Sequence, residues 1–370
     1  MTVKSICIVG LDAWSVLAPG PDVPYVGGES VQQVLLARAF RDLGLDVSLI
    51  VHDEGQPHDQ MVEGIRVITV CSREAGMRVV RFVHPRMTSL LGALRKADAD
   101  VYYQSPAGVN TGVVAWFCRR NRRRFVFRVA SDANCIPGQQ LITYWRDRKL
   151  FEYGMRRADL IAAQTVRQQR LLKENYGLKS AVVNMAADVD TPRPQAGKDI
   201  DALWVSNYRD VKRPEAVVDL AKALPQVTFS MVGGPMPGGE SYYERVTAAL
   251  RQLPNVTVHG AVPYQDVGKL YDRAKLFLNT STMEGFPNTF LQAWMRGLPV
   301  VSTFDPDDLI KREALGGAAD SPEGLIPHIR ATLADPAALE VASARLHDYA
   351  MREFSGVGVA RRYLDLLNAG

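Results

Sequence analysis

Short apolar runs alternate with segments of helical spacing along this chain, and the series begins twice. In the first series the strand-like runs fall at residues 6–9, 47–51, 65–70, 101–103, 125–130, 160–163 and 181–184. Ile6-Cys7-Ile8-Val9 closes at Gly10, and a loop rich in Gly and Pro follows over residues 11–26. Gly27-Gly28-Glu29-Ser30 then leads into apolar residues at helical spacing over 31–43. Such alternation predicts a mostly parallel sheet with helices on both faces.

The stretch 190–199 contains Thr-Pro-Arg-Pro-Gln-Ala-Gly-Lys, which has linker chemistry. After it, strands are expected at 202–206, 227–232, 256–259, 276–279 and 299–302, with helices at 214–224 and 242–253. The expectation is therefore two tandem doubly wound α/β domains. The first spans 1–190, the second 191–355, and a last helix over 357–367 follows the break Phe354-Ser355-Gly356, free to cross back to the first domain. At 370 residues the length suits about two domains. Doubly wound sheets bind ligands at the carboxyl ends of their strands, so two facing domains would form a cleft.

Composition narrows the function classes. Hydrophobic residues are 47% and charged residues 23%, which excludes a disordered or fibrous chain. No apolar run reaches the roughly 18 residues of a membrane span. Residues 6–9 are too short for a signal-peptide core, so a cytoplasmic protein is expected. Cys7, Cys71, Cys118 and Cys135 have no short pair spacing and read as free thiols. Six scattered histidines and no Asp-x-Asp motif give a metal site little support.

The net charge of +4 is too mild to imply nucleic acid. Residues 1–190 hold 25 Lys/Arg against 19 Asp/Glu, or +6, and the remainder holds 19 against 21, or −2. The excess includes Arg119, Arg120, Arg122, Arg123 and Arg124. That run is either a solvated helix end or a peripheral contact with the inner face of a membrane.

The most informative stretch is Glu284-Gly285-Phe286-Pro287-Asn288-Thr289-Phe290-Leu291-Gln292-Ala293-Trp294. Pro287, Asn288 and Thr289 supply turn and cap chemistry ahead of a helix, whose free N–H groups suit a diphosphate. Glu284 can offer a carboxylate to sugar hydroxyls. The competing reading is a helix cap beside an ordinary surface glutamate.

This stretch resembles the Glu-x7-Glu region of the family 4 retaining glycosyltransferases. Further similar segments are Tyr153-Gly154-Met155-Arg156-Arg157-Ala158-Asp159 with Ala163-Gln164-Thr165 and Gln168, then Trp204-Val205-Ser206 with Lys212-Arg213-Pro214-Glu215. Met231-Val232-Gly233-Gly234 and Val258-His259-Gly260 also fit. The resemblance is strong over residues 153–302 and thin before them.

It implies a GT-B fold and a metal-independent, retaining transfer from a nucleotide diphosphate sugar, with no cofactor. The base could be UDP, GDP or ADP, and the acceptor a saccharide or lipid-linked saccharide in cell-surface or exopolysaccharide synthesis. By resemblance Lys212 holds phosphate, and Glu284 contacts the transferred sugar. Arg209 replaces the family arginine, whose usual place holds Asn207. Gln292 stands where a second carboxylate would grip the ribose. The backbone around Phe286, Pro287, Asn288 and His259 approaches the donor, and Gly27-Gly28 admits its phosphate. The family's histidine near the end of strand 125–130 is missing, and Asp132 or Ser131 takes its place. These departures keep two alternatives open: a weakly catalytic scaffold that binds nucleotide sugar, and a nucleotide-sugar epimerase or phosphorylase on the same architecture.

Overall fold

The computed structural model describes residues 3–18, 27–77, 82–187 and 197–369. Most of the expected linker and half of the loop before Gly27 lie outside the described residues. The chain forms two compact units, one of Met1–Ala186 with Gly356–Gly370 and the other of Ala187–Ser355.

The first unit runs β1 (Ser5–Val9), α1 (Trp14–Leu17), α2 (Gly28–Asp42), β2 (Asp46–His52), β3 (Asp59–Val62), β4 (Ile65–Val70), a helical turn (Phe82–Met87) and α3 (Thr88–Ala97). It continues with β5 (Val101–Gln104), α4 (Val109–Asn121), β6 (Arg124–Arg128), α5 (Trp145–Met155), β7 (Leu160–Ala163), α6 (Val166–Tyr176) and β8 (Ala181–Val182). The sheet order is β3-β4-β2-β1-β5-β6-β7-β8, parallel except for β3.

Both faces of the inner part of this sheet are covered, so its inner strands are largely apolar on both sides. Ile6 and Ile8 enter one core with Tyr103 and Val126, while Cys7 and Val9 enter the other with Tyr102 and Phe127. All four cysteines are free thiols, and all but Cys71 are buried. The antiparallel β3 was not anticipated. Its sequence Asp-Gln-Met-Val has no apolar run; pairing is imposed by the turn Glu63-Gly64, where both residues have positive φ, as a two-residue hairpin requires.

The second unit runs β9 (Ile200–Val205), α7 (Ala216–Ala223), β10 (Phe229–Val232), α8 (Glu240–Leu250), β11 (Val256–Gly260), α9 (Tyr264–Arg273), β12 (Ala274–Asn279) and α10 (Asn288–Met295). Then come β13 (Val300–Ser302), α11 (Leu309–Arg312), β14 (Gly316–Ala318), α12 (Leu325–Ala334) and α13 (Pro336–Phe354). Its sheet, β11-β10-β9-β12-β13-β14, is parallel throughout. Strand order reverses between β9 and β12, which are paired neighbours. A doubly wound sheet opens its ligand crevice at such a reversal, outside the carboxyl ends of the two strands.

The chain ends in α14 (Gly356–Ala369), which belongs to the first unit. Val359, Ala360, Tyr363 and Leu367 are buried there with Val34, Ala37 and Phe40 of α2. Arg124 donates from Nη1 to the carbonyl of Leu367 at 2.8 Å, fastening the far end of α14.

Candidate functional site

The carboxyl end of β9 leads into residues 206–213, and the carboxyl end of β12 into residues 280–287. These are the two loops at the strand-order reversal. They are joined by backbone and side-chain bonds. Thr282 donates its N–H to the Val211 carbonyl at 2.9 Å. The Thr280 hydroxyl is shared between the carbonyls of Lys212 (2.7 Å) and Arg213 (2.9 Å) and accepts from the Trp204 indole at 3.0 Å. Arg213 holds a left-handed conformation with φ of 48°, which costs free energy in a non-glycine residue and persists because Thr280 ties the turn.

That turn directs Lys212 at Glu284. The ammonium Nζ donates to Glu284 Oε1, which also accepts from the Ser281 hydroxyl at 2.7 Å. Both side chains are nearly enclosed, at 11% and 12% exposure. Burial lowers the Lys212 pKa from its ordinary value, with Glu284 opposing the shift and the nearby Arg209 adding to it. Arg209 is exposed, and among the described residues it forms no ion pair. The loop thus carries three cations, Arg209, Lys212 and Arg213, and one carboxylate of its own, Asp210, beside Glu284.

Neighbouring strand ends complete the rim. Ser206 N–H donates to the Val232 carbonyl at 3.0 Å, Tyr208 N–H to Gly234 at 3.0 Å and Gly233 N–H to Gly260 at 2.9 Å. Gly233 cannot be replaced without strain: its φ is +146°, and a Cβ there would lie 1.7 Å from the Ser206 carbonyl oxygen. Asn207 sits between these stitched residues, half-buried. His259, on edge strand β11, has its ring nitrogen 3.3 Å from the Ser230 hydroxyl, and burial lowers its pKa.

Helix α10 begins at Asn288, so its amino end follows directly from the Glu284 loop. The expected cap chemistry is corrected here. The N-cap is Pro287, no side chain caps the helix, and Asn288 and Thr289 are its first helical residues. Gln292 lies one turn in and donates from Nε2 to the Tyr264 hydroxyl at 3.2 Å. The Phe286 ring turns away from the loop, with its centroid 5.7 Å from that of Phe354 and 6.3 Å from that of Trp294. The Phe286 ring is thus engaged in packing, although the residue is only part-buried.

The structure therefore brings together Lys212, Glu284 and Arg209, with Asn207, Asn288, Thr289 and Gln292 on adjoining loops and helix. It adds Thr280 and Ser281, which sequence reading passed over. Their signal was the run Thr280-Ser281-Thr282 directly after an apolar strand, where a doubly wound sheet places its ligand-facing loops.

Gly27, Gly28 and Asp132 belong to the first unit. Gly27 caps α2, whose first turn carries Glu29. Asp132 follows the carboxyl end of β6, and its carboxylate is engaged by Arg167 Nε at 2.8 Å. The arginine run divides in two. Arg123 pairs with Asp98 at 2.5 Å and Arg124 bonds to Leu367, whereas Arg119, Arg120 and Arg122 are exposed around the end of α4. Cations there complement the helix dipole. Among the described residues no group of His, Cys, Asp and Glu gathers as a metal site, and no helix is long and apolar enough to cross a membrane.

Residues 201–335 match the family described as Glycosyl transferases group 1. The GtfA subunit of a UDP-N-acetylglucosamine–peptide N-acetylglucosaminyltransferase from Streptococcus pneumoniae is 26% identical over 157 residues. That match takes in 39% of this chain and 30% of the relative, so the chain spans under a third of that protein's length. Among solved structures, a sucrose-phosphate synthase from Thermosynechococcus elongatus superposes with a TM-score of 0.78 at 15% identity, covering 99% of this chain and 100% of that one. A glycosyltransferase from Rickettsia africae gives 0.72 at 14% identity, covering 99% and 98%. The catalytic domain of starch synthase IV from Arabidopsis thaliana, bound to ADP and acarbose, gives 0.71 at 13% identity, covering 100% and 99%. The fold is GT-B, with two Rossmann-like units.

Proposed function

We propose that this chain is a retaining glycosyltransferase that moves a sugar from a nucleotide diphosphate sugar to a saccharide or lipid-linked saccharide, in cell-surface or exopolysaccharide synthesis. One observation carries the reading: Lys212 and Glu284 meet at the strand-order reversal of the unit whose sequence matches group 1 glycosyl transferases.

In this reading the Lys212 ammonium and Arg209 guanidinium hold the diphosphate, and the free N–H groups at the start of α10 face the same anion. These groups stabilise the charge that develops on the leaving phosphate, the work a divalent cation does elsewhere. Glu284 passes from Lys212 to the sugar hydroxyls and orients the ring. The bond between the anomeric carbon and the phosphate oxygen breaks, and the acceptor oxygen attacks from the same face. The acceptor proton goes to the departing phosphate oxygen, so nucleoside diphosphate leaves and configuration is kept. Gln292 accepts a ribose hydroxyl through its amide carbonyl, a weaker contact than a carboxylate makes.

The test uses Lys212→Ala and Glu284→Gln, with calorimetric titration of UDP, GDP and ADP and an assay of donor turnover. Loss of one electrostatic stabiliser of a developing charge costs about 100- to 1,000-fold in kcat. The expected result is that Lys212→Ala loses nucleotide affinity and turnover together, while Glu284→Gln keeps affinity and loses turnover. Unchanged turnover in both variants overturns the assignment. Nucleotide binding without turnover by the wild-type chain, supplied with saccharide and lipid-linked acceptors, favours the scaffold reading.

A further inference from the structure

Between the end of β6 and the start of α5 the chain inverts the usual rule of burial. Gln140 is 4% exposed, and its neighbour Leu141 is 93% exposed. A polar side chain turned inward beside an apolar one turned outward is the arrangement that water disfavours. It is held in place by bonds at the foot of the loop. Gln140 donates its amide to the Tyr176 hydroxyl and accepts from the Gly138 N–H at 3.0 Å. Ile142 N–H donates to the Gln140 carbonyl at 2.7 Å, and Asn175 donates to the Cys135 carbonyl at 3.0 Å. The foot is pinned on α6, so Leu141 stays outside.

Two more large side chains share its exposure, Tyr144 at 66% and Trp145 at 72%. The Arg146 guanidinium lies 3.9 Å from the centroid of the Phe82 ring, which draws the turn Phe82–Met87 alongside with Val83 exposed. On these elements Arg86, Arg146, Arg148 and Lys149 stand with two carboxylates, Glu152 and Asp147, the latter paired with Arg146 at 2.8 Å, giving four positive charges against two negative.

We propose that this surface of the first unit docks on an anionic lipid bilayer, with Leu141, Tyr144 and Trp145 entering the interfacial layer and the surrounding cations meeting lipid headgroups. Tyr and Trp carry an apolar body and a polar tip, which suits the headgroup level. Basic residues beside them are drawn to anionic lipid. The side chains protrude instead of lining a groove, so they need a partner without fixed shape. A second copy of this chain is disfavoured, because a two-fold contact would set the same cations against each other. This inference does not depend on the proposed transfer reaction, and it places membrane contact on different residues from Arg119, Arg120 and Arg122.

The experiment is co-sedimentation of the full chain with vesicles of phosphatidylcholine alone and of phosphatidylcholine with phosphatidylglycerol, with and without added salt. The wild type is expected in the pellet only with the anionic vesicles, and less so at high salt. The double variant Leu141→Ser/Trp145→Ser, whose folding is checked by thermal melting, is expected to lose about tenfold or more in partitioning. Lys149→Glu/Arg146→Glu is expected to lose binding as well. The proposal is overturned by absence of capture, or by capture that the Leu141/Trp145 variant leaves unchanged. It is equally overturned if reversal of Arg119 and Arg120 alone abolishes capture, or if light scattering shows a dimer that Leu141→Ser/Trp145→Ser dissociates.

Discussion

Lys212 is an enclosed cation with one carboxylate partner, and its burial sets how it responds to pH. A lysine whose folded pKa lies below its unfolded value binds fewer protons when folded, so its contribution to stability improves as pH rises towards 10.5. At neutral pH the charged form is therefore held at a cost, which an incoming diphosphate offsets by adding negative charge. The expectation is that nucleotide affinity falls on the alkaline side at a pH below 10.5, where ordinary lysines are still charged. Lys212→Arg, always charged, should flatten that limb. Titration calorimetry from pH 7 to 10 checks this, and equal pH profiles for the two proteins would sink it. None of this was visible in Lys212-Arg213-Pro214 as a string. That Lys212 is a candidate could be read there. That its partner is Glu284, 72 positions away, could not.

At the scale of elements, α2, β5, β6 and α14 meet around one buried charge. Arg128 ends β6 at 1% exposure, surrounded by Tyr103 of β5, Tyr363 of α14 and Glu29 of α2. The rings of Tyr103 and Tyr363 stand 5.9 Å apart, edge to face. Glu29 is the carboxylate that acts on this buried guanidinium through its charge, without an ion-pair contact. Replacing it with Leu removes the nearby opposite charge and is expected to destabilise the first unit. The double variant Glu29→Leu/Arg128→Met removes both charges and should recover most of that loss. Urea unfolding of the two variants checks the prediction, and an equal loss in both would contradict it. Here periodicity had served well for type: β4 and β7 follow their apolar runs at 65–70 and 160–163. It had no purchase on Arg128, because a charged residue at a strand end reads as a solvated one. It also missed β14, whose Gly-Gly-Ala sequence is held by pairing with β13.

For the whole molecule, the chain's last helix returns to the unit in which the chain began. Four side chains of α14, Val359, Ala360, Tyr363 and Leu367, lie in the core of the first unit. Removing residues 356–370 exposes the α2 face they cover and leaves the second unit's own core, built on Trp204, Val217, Phe229 and Leu278, intact. Each lost apolar side chain is worth about 1.5–3 kcal/mol. Truncation should therefore lower protection of the first unit in hydrogen exchange and leave that of β9, β10 and β12 near wild type. Uniform loss of protection across both units would refute it.

From the order of residues alone came the alternation of strands and helices, its restart after the Pro-rich stretch and the concentration of ligand chemistry near 284–294. Those features are local: side-chain period and turn residues act within a few positions of the chain. Tertiary structure decided which loops meet at the strand-order reversal, how Thr280 and Ser281 set the Lys212–Glu284 pair, and that the Phe286 ring serves packing. Such choices depend on strand order and on burial, and both are settled by contacts between residues far apart along the chain.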